Sequence, residues 1–298
     1  MQSSRARGVM LMLFAVAIFS VMDLCLKVLS TRLGPLQLAT LRGAASLPFV
    51  LLSVVAGRRL RDLRVHRIGL HVVRGLLSVL MISAFAYAVR LMSLSNVYTL
   101  FMVAPLMVTA VSVPLLGERV RKGAWIAIFV GLAGTLVLLR PSTTGINLLG
   151  ALAALVCAGC YTVSYVLARV MSKTETADSL VFWVLAMMAV FSAVLGWGSW
   201  QPIPSSLWGW IALIGVTGAV AQQCITRAFM LAPASVIAPF EYTALIWGAL
   251  FDWLIWSTHP GVATVLGALL IVSSGIYVMA AGGPESEPAA GVTAEPHP

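Results

Sequence analysis

Apolar runs of bilayer length follow one another along this chain, at 8–29, 35–56, 70–89, 95–116, 123–140, 148–170, 180–199, 207–229, 233–256 and 262–281. A helix of ~20 residues at ~1.5 Å rise per residue crosses the ~30 Å hydrocarbon core of a membrane. The chain is 60% hydrophobic and 10% charged, with a mean hydropathy of +0.98. Soluble domains carry about 25% charged residues. So little polar surface cannot cover a water-facing core of this size, and lipid is the expected solvent. The expected fold class is an all-α membrane protein with ten transmembrane helices. The first run is too long for a signal-peptide core of ~7–15 residues and is expected to be retained.

Two of the runs are interrupted. Ser95–Val120 contains Pro105 and Pro114, and its counterpart Ala234–His259 contains Pro239. Proline lacks the N–H that would bond the carbonyl four residues back, here Phe101 for Pro105 and Ser235 for Pro239. In lipid such a break is tolerated where protein or a wet cavity takes up the freed carbonyl. Broken spans at matching places in two halves point to a transporter's binding site.

The net charge is +9, which raises nucleic acid as a partner. The basic residues lie between apolar runs, however, where loops of a membrane protein place them. No nucleic-acid partner is expected. In alternating loops, twelve Lys and Arg fall on one side, led by Arg5, Arg7 and the five arginines of Gly57–Gly69, against Arg32, Arg90 and Arg140 on the other. This bias places both termini of a multi-pass membrane protein in the cytoplasm. The tail 282–298, rich in Pro, Glu, Gly and Ala, is expected to be disordered.

The chain repeats itself weakly along its length. Phe19-Ser20-Val21 echoes Tyr161-Thr162-Val163, Val97 and Phe101 echo Val236 and Phe240, and Gly134 echoes Gly275, all at spacings of 139 to 142. Two five-helix repeats are expected, 8–140 and 148–281. An odd number of spans per repeat inverts the second, which sets a substrate site near the midplane between them.

Several stretches carry a likeness to a known family. They are FSVMDLCLK at 19–27, GPLQ at 34–37 with Arg42, LMSLSNVYTLFMVAPL at 91–106, LLGERV at 115–120 and APASVIAPFEYTALIW at 232–247. Through them the chain resembles the ten-helix EamA-type carriers of the drug/metabolite transporter superfamily, over nearly its full length. The second half departs from the pattern: Ser257-Thr258-His259-Pro260 stands where an acidic turn is usual. The resemblance implies an inner-membrane carrier of a small metabolite working by alternating access. It looks closest to carriers of riboflavin or S-adenosylmethionine, and amino-acid exporters share the family. A vitamin, a nucleoside-like compound or an amino acid is therefore the implied substrate class, and a homodimer is an allowed assembly.

Charges inside apolar runs cost ~2.5–3.5 kcal/mol each at mid-helix and are candidates for function. Asp23 lies in the first run with Lys27 one turn on, so it is either half of an i, i+4 ion pair or a cavity group. Glu241 follows Pro239 in the ninth run, as a cavity carboxylate or a buried hydrogen-bonding group. Arg42 is placed to balance Asp23 or Glu241, or to bind an anionic substrate group. Asn96, Tyr98 and one of Gln222 and Gln223 line a polar cavity or join helices. Tyr161 and Tyr165, four apart, form a stripe that stacks a flat substrate or packs helices. Arg74 and Arg227 are expected to snorkel from span ends, and Trp183, Trp197, Trp200, Trp208 and Trp210 to anchor at membrane interfaces. Cys157-x-x-Cys160 lies inside a run and is not read as a redox or metal motif. No phosphate loop, zinc signature or nucleophile elbow occurs, so no metal, cofactor or catalytic residue is expected. An intramembrane enzyme and a non-transporting sensor or scaffold are the competing classes.

Overall fold

The computed structural model describes residues 2–92, 94–116 and 147–256, with scattered helical positions at 123, 125–126, 129–130, 133, 266, 269–270 and 273. Residues 117–122, the Ser257–Pro260 segment, most of the fifth and tenth expected spans and the tail lie outside these residues. So do the side chains of Asn96 and Pro239.

The described elements are all helical. Helix α1 runs Gln2–Ser30 and closes where the Ser30 and Thr31 hydroxyls donate back to Lys27 and Val28 carbonyls, both at 2.8 Å. Helix α2, Pro35–Ala56, opens on a proline at the position that needs no N–H. Helix α3 is Ile68–Leu91. Helix α6, Leu148–Met171, is capped by Asn147, whose side chain accepts from Gly150 N. Helix α7, Ala177–Gly196, is capped in the same way by Thr176, and α8 is Trp208–Leu231. These six helices are long and apolar enough to cross a membrane.

The fourth and ninth expected spans are both broken. α4, Leu94–Phe101, stops at the residue whose carbonyl Pro105 cannot serve, and α5 restarts at Ala104–Leu116. In the second half, α9, Ala234–Ile237, passes into a 3-10 helix, Ala238–Thr243, with proline in its first turn, and then into α10, Ala244–Trp256. The 3-10 helix packs on α1 and α5, so the irregular backbone is covered by protein rather than lipid.

The main helix pairs join the two halves: α1 with α8, α3 with α6, α2 with α7, α2 with α8 and α3 with α7. Exchanging α1 with α6, α2 with α7 and α3 with α8 returns the same set. The closest approaches follow the same exchange. A Cβ on Gly75 of α3 would fall 2.5 Å from Met187 Cβ on α7, and one on Gly215 of α8 would fall 2.5 Å from the Ala45 carbonyl on α2. Small residues let backbones meet where apolar burial gives no drive between helices.

A polar clasp joins the halves at the end where the arginine-rich loop sits. Glu175 Oε1 accepts from His66 N at 2.7 Å and Arg67 N at 3.0 Å, while Ser179 Oγ donates to Oε2 at 3.0 Å. His71 Nε2 lies 3.4 Å from Oε1. Asp178 pairs with Arg59 at 2.6 Å and with Arg227 at 3.1 Å, and accepts from Gln223 Nε2 at 3.2 Å. Thr176 Oγ1 donates to Asp62 O at 2.7 Å. Burial alone would raise the Glu175 pKa. The His66 and Arg67 amides, the Ser179 hydroxyl and His71 outweigh it and hold the carboxyl below its ordinary value.

One sequence expectation changes here and another is extended. Arg74 does not snorkel: it is 0% exposed and donates to the Ser164 and Leu180 carbonyls, both at 3.2 Å. The clasp covers this end of α3, so the guanidinium finds carbonyls before it finds water. Trp183 does more than face the interface, because its Nε1 donates to Leu63 O at 2.9 Å and holds the loop to α7. Trp197, at 84% exposed, does stand outside the packed helices.

Gly215→Val is expected to lower Tm in detergent, by the ~1–3 kcal/mol typical of overpacking. Gly209→Ala, with open space around it, is the control expected to change little; equal Tm values for Gly215→Val and wild type would remove the close contact from the account. Glu175→Ala is expected to cost ~1–3 kcal/mol at neutral pH through orphaned buried donors. Because the folded pKa of Glu175 is depressed, its contribution is complete above its ordinary pKa of 4.5 and fades as pH falls through the lower folded value. The Tm gap between variant and wild type therefore narrows on acidification, and a gap that widens would refute the assignment.

Candidate functional site

A cavity of about 110 Å³ lies between the halves. The first half brings Asp23 from α1, Arg42 from α2 and Tyr98 from α4. The second brings Tyr161 and Tyr165 from α6 and Glu241 from the 3-10 helix. Each element delivers its polar group from a different direction because the helices cross the interface in exchanged pairs. Phe19, Phe85 and Phe101 supply much of the apolar wall.

Asp23 is held by its neighbour across the cavity. The Tyr98 hydroxyl donates to Asp23 Oδ2 at 2.9 Å. Among the described residues Asp23 forms no ion pair with Lys27, so the i, i+4 pairing weighed from the sequence is not made; Lys27 is engaged elsewhere.

Arg42 is 2% exposed, yet no described carboxylate pairs with it. Its Nε faces Met22 Sδ at 3.3 Å and its Nη1 faces Met188 Sδ at 3.9 Å. Nη2 donates to Gln222 Oε1 at 3.4 Å. The guanidinium carbon lies 5.7 Å from the Phe19 ring centre, a cation–π position. Gln222 sits behind the cavity wall and donates in turn to Tyr165 Oη at 3.1 Å. Gln223 turns the other way, to the clasp.

Glu241 is 4% exposed, and neither carboxylate oxygen has a hydrogen-bond partner. The Tyr161 hydroxyl approaches it without closing a bond of normal geometry. Tyr161 continues an aromatic file: its ring meets Phe101 edge-on at 5.3 Å and Tyr165 at 4.5 Å, and Tyr165 stacks on Phe229 at 5.1 Å. Pro105 is buried at the head of α5. Asn96 belongs to α4, but its side chain lies outside the described residues.

The sulfurs around Arg42 and the phenylalanine wall were not singled out from sequence, because Met and Phe in apolar runs carry no signal beyond burial. Glu175 and Asp178 were missed as well, since acids next to a helix start read as caps. The four cysteines are free. Among the described residues no three His, Cys, Asp or Glu side chains form a metal-binding group.

With this geometry in view, known proteins place the chain. A family model for EamA-like transporters matches residues 6–140 and again 148–280. The chain is 29% identical to the pseudopaline exporter of Pseudomonas aeruginosa, covering 89% of this chain and 93% of that one. It is 29% identical to a riboflavin transporter of Vibrio cholerae, over 73% of this chain and 74% of that one. It is 24% identical to an S-adenosylmethionine uptake transporter of Rickettsia prowazekii, over 91% and 92%. A crystal structure 22% identical in sequence superposes with a TM-score of 0.76, covering 92% of this chain and 97% of the other, and shares the fold. The chain belongs to the EamA-like transporter family, and is a membrane transporter of small molecules rather than an enzyme.

Proposed function

We propose that this chain is an inner-membrane secondary transporter that moves a small metabolite by alternating access. Its ten spans form two inverted five-helix repeats, 8–140 and 148–281, with both termini cytoplasmic and the tail 282–298 following. The observation that carries this reading is the cavity itself. Both halves wall it, and the helix pairs around it exchange with one another under interchange of the halves. A site placed on such an axis opens to either side when one half rocks against the other.

In this proposal the clasp of Glu175 and Asp178 closes the cytoplasmic side. At the other end Gln37 and the Gln201 backbone form a two-way bond, Nε2 to O at 2.7 Å and N to Oε1 at 3.2 Å. Each bond set joins one half to the other, so opening either side breaks one of them. Asp23 and Glu241 are the coupling and substrate-facing carboxylates. Arg42, Tyr98, Tyr161 and Tyr165 face the substrate, Asn96 and Gln222 complete the polar surround, and the breaks at Pro105 and Pro239 allow the carboxylate and tyrosine to enter it. The substrate class embraces vitamins, nucleoside-like compounds and amino acids; the named relatives carry pseudopaline, riboflavin and S-adenosylmethionine.

The rocking reading is tested with a cysteine at Ser20, a buried cavity residue, in a background with the four native cysteines replaced. A membrane-impermeant maleimide is expected to label Ser20→Cys from both faces in oriented vesicles. Labelling confined to one face under every condition would sink alternating access. Glu241→Gln keeps the shape of the side chain and removes its charge. It is expected to slow transport roughly tenfold or more, the scale of losing a charge-assisted contact, while Tm changes little. Native transport in this variant would make Glu241 a structural residue.

A further inference from the structure

The loop 57–69 between α2 and α3 carries five arginines and one carboxylate, Asp62. Arg59 belongs to the clasp, where it meets Asp178 at 2.6 Å. Arg58, Arg61, Arg64 and Arg67 are exposed, and their side chains form no ion pair or hydrogen bond among the described residues. Nor does the Asp62 carboxylate, and one carboxylate against four guanidiniums leaves an excess of positive charge. Lys173 is exposed in the loop that carries Glu175 and adds to that excess. The backbone of the arginine loop is engaged, by contrast, with the other half of the protein. The Asp62, Leu63 and Arg64 carbonyls accept from Thr176 Oγ1 at 2.7 Å, Trp183 Nε1 at 2.9 Å and Ser179 Oγ at 3.3 Å. The His66 and Arg67 amides donate to Glu175. The main chain thus closes the clasp while four charged side chains are left outside it.

A second observation places these side chains at headgroup level. The loop begins where α2 ends, at Ala56, and stops where α3 starts, at Ile68. Leu52 and Val55 near the end of α2, and Val73 and Leu76 near the start of α3, are exposed apolar side chains that face lipid in a membrane. Leu60 and Ile68 are more than half exposed and stand among the arginines. Apolar side chains beside guanidiniums at the end of a span suit the bilayer interface, with the first toward the acyl chains and the second at the phosphates. A guanidinium takes a phosphate through two parallel N–H···O bonds. A zwitterionic headgroup balances its own phosphate, whereas an anionic one leaves net charge for the arginines.

We propose that Arg58, Arg61, Arg64 and Arg67 bind the headgroups of anionic phospholipids, and that the bound lipid braces the clasp. The coupling follows from connectivity. The amides that serve Glu175 belong to His66 and Arg67, and the carbonyl that serves Ser179 belongs to Arg64. The loop therefore cannot leave the clasp without drawing its arginines off the phosphates. Arg59 stays with Asp178, whose side chain is 4% exposed and out of a headgroup's reach.

The inference needs the chain to cross a membrane but not to transport, so its failure leaves the transport reading standing. Full-length protein is placed in nanodiscs of phosphatidylcholine alone, and in nanodiscs of phosphatidylcholine and phosphatidylglycerol in equal parts. Amide hydrogen exchange is followed by mass spectrometry in peptides spanning 57–69. Phosphatidylglycerol is expected to slow exchange at His66 and Arg67 roughly tenfold, which two arginines at about fivefold each near an anionic surface would more than supply. In the variant combining Arg58→Gln, Arg61→Gln, Arg64→Gln and Arg67→Gln, the two lipid compositions are expected to give equal exchange. Its Tm in phosphatidylcholine alone is expected to match wild type, since these side chains touch no partner within the described residues. Should the fourfold variant fail to fold, Arg61→Gln with Arg64→Gln carries the same test, with most of the slowing lost. Equal exchange of the wild type in both compositions overturns the proposal. So does slowing that survives in the variant, which would place the lipid effect elsewhere. Slowing reproduced by glycerol 3-phosphate added to phosphatidylcholine discs would assign the arginines to a soluble phosphate and overturn it as well.

Discussion

A polar group at bilayer depth has no water to turn to, and its partner must come from the protein. This constraint shapes the whole molecule. It keeps six described spans as continuous helices, α2 running on through Pro48, and turns the two broken segments inward. The carbonyl that Pro105 leaves unserved lies at the end of α4, beside α6, and the 3-10 helix that contains Pro239 lies against α1 and α5. Breaks that would be expensive against lipid become inexpensive between helices, and they bring Tyr98 and Glu241 to the cavity.

The same constraint separates structural charges from candidate functional ones. Arg74 is buried as deeply as Arg42, but two carbonyls at 3.2 Å receive it. Arg169 likewise donates to the carbonyls of Phe229 and Met230 at 2.8 and 2.6 Å, closing the end of α8. Asp178 has two arginines and Glu175 has three donors. Arg42 and Glu241 lack such partners, and both face the cavity. The charges that hold the halves together are satisfied within the chain, whereas of the carboxylates facing the cavity Asp23 accepts from Tyr98 and Glu241 has no hydrogen-bond partner.

Much of the scaffold was legible in the residues. Run length and proline position marked the long spans and their breaks, because helix rise and a missing N–H are local properties. The family was legible through stretches such as the one around Pro239-Phe240-Glu241-Tyr242. Partnerships were less so. Spacing offered Lys27 to Asp23, whereas Tyr98 arrives from another helix. Position near a span end suggested that Arg74 would reach water, whereas the clasp covers it. Trp183 carried the signature of an interface anchor, and its bond to a loop carbonyl had no sign in the sequence.

Sequence alone was enough to require lipid as the solvent, to set the helical character, and to mark where charges interrupt apolar runs. These follow from hydropathy and backbone chemistry, which depend on residues close together in the chain. Which charges would be neutralised and which left facing a cavity depended on contacts between residues far apart in sequence, such as Arg42 with Gln222 and Glu175 with His66. Pairing across the interface is set by how α1, α2 and α3 cross α8, α7 and α6. That crossing is a property of the packed helices together, so only the tertiary structure could decide it.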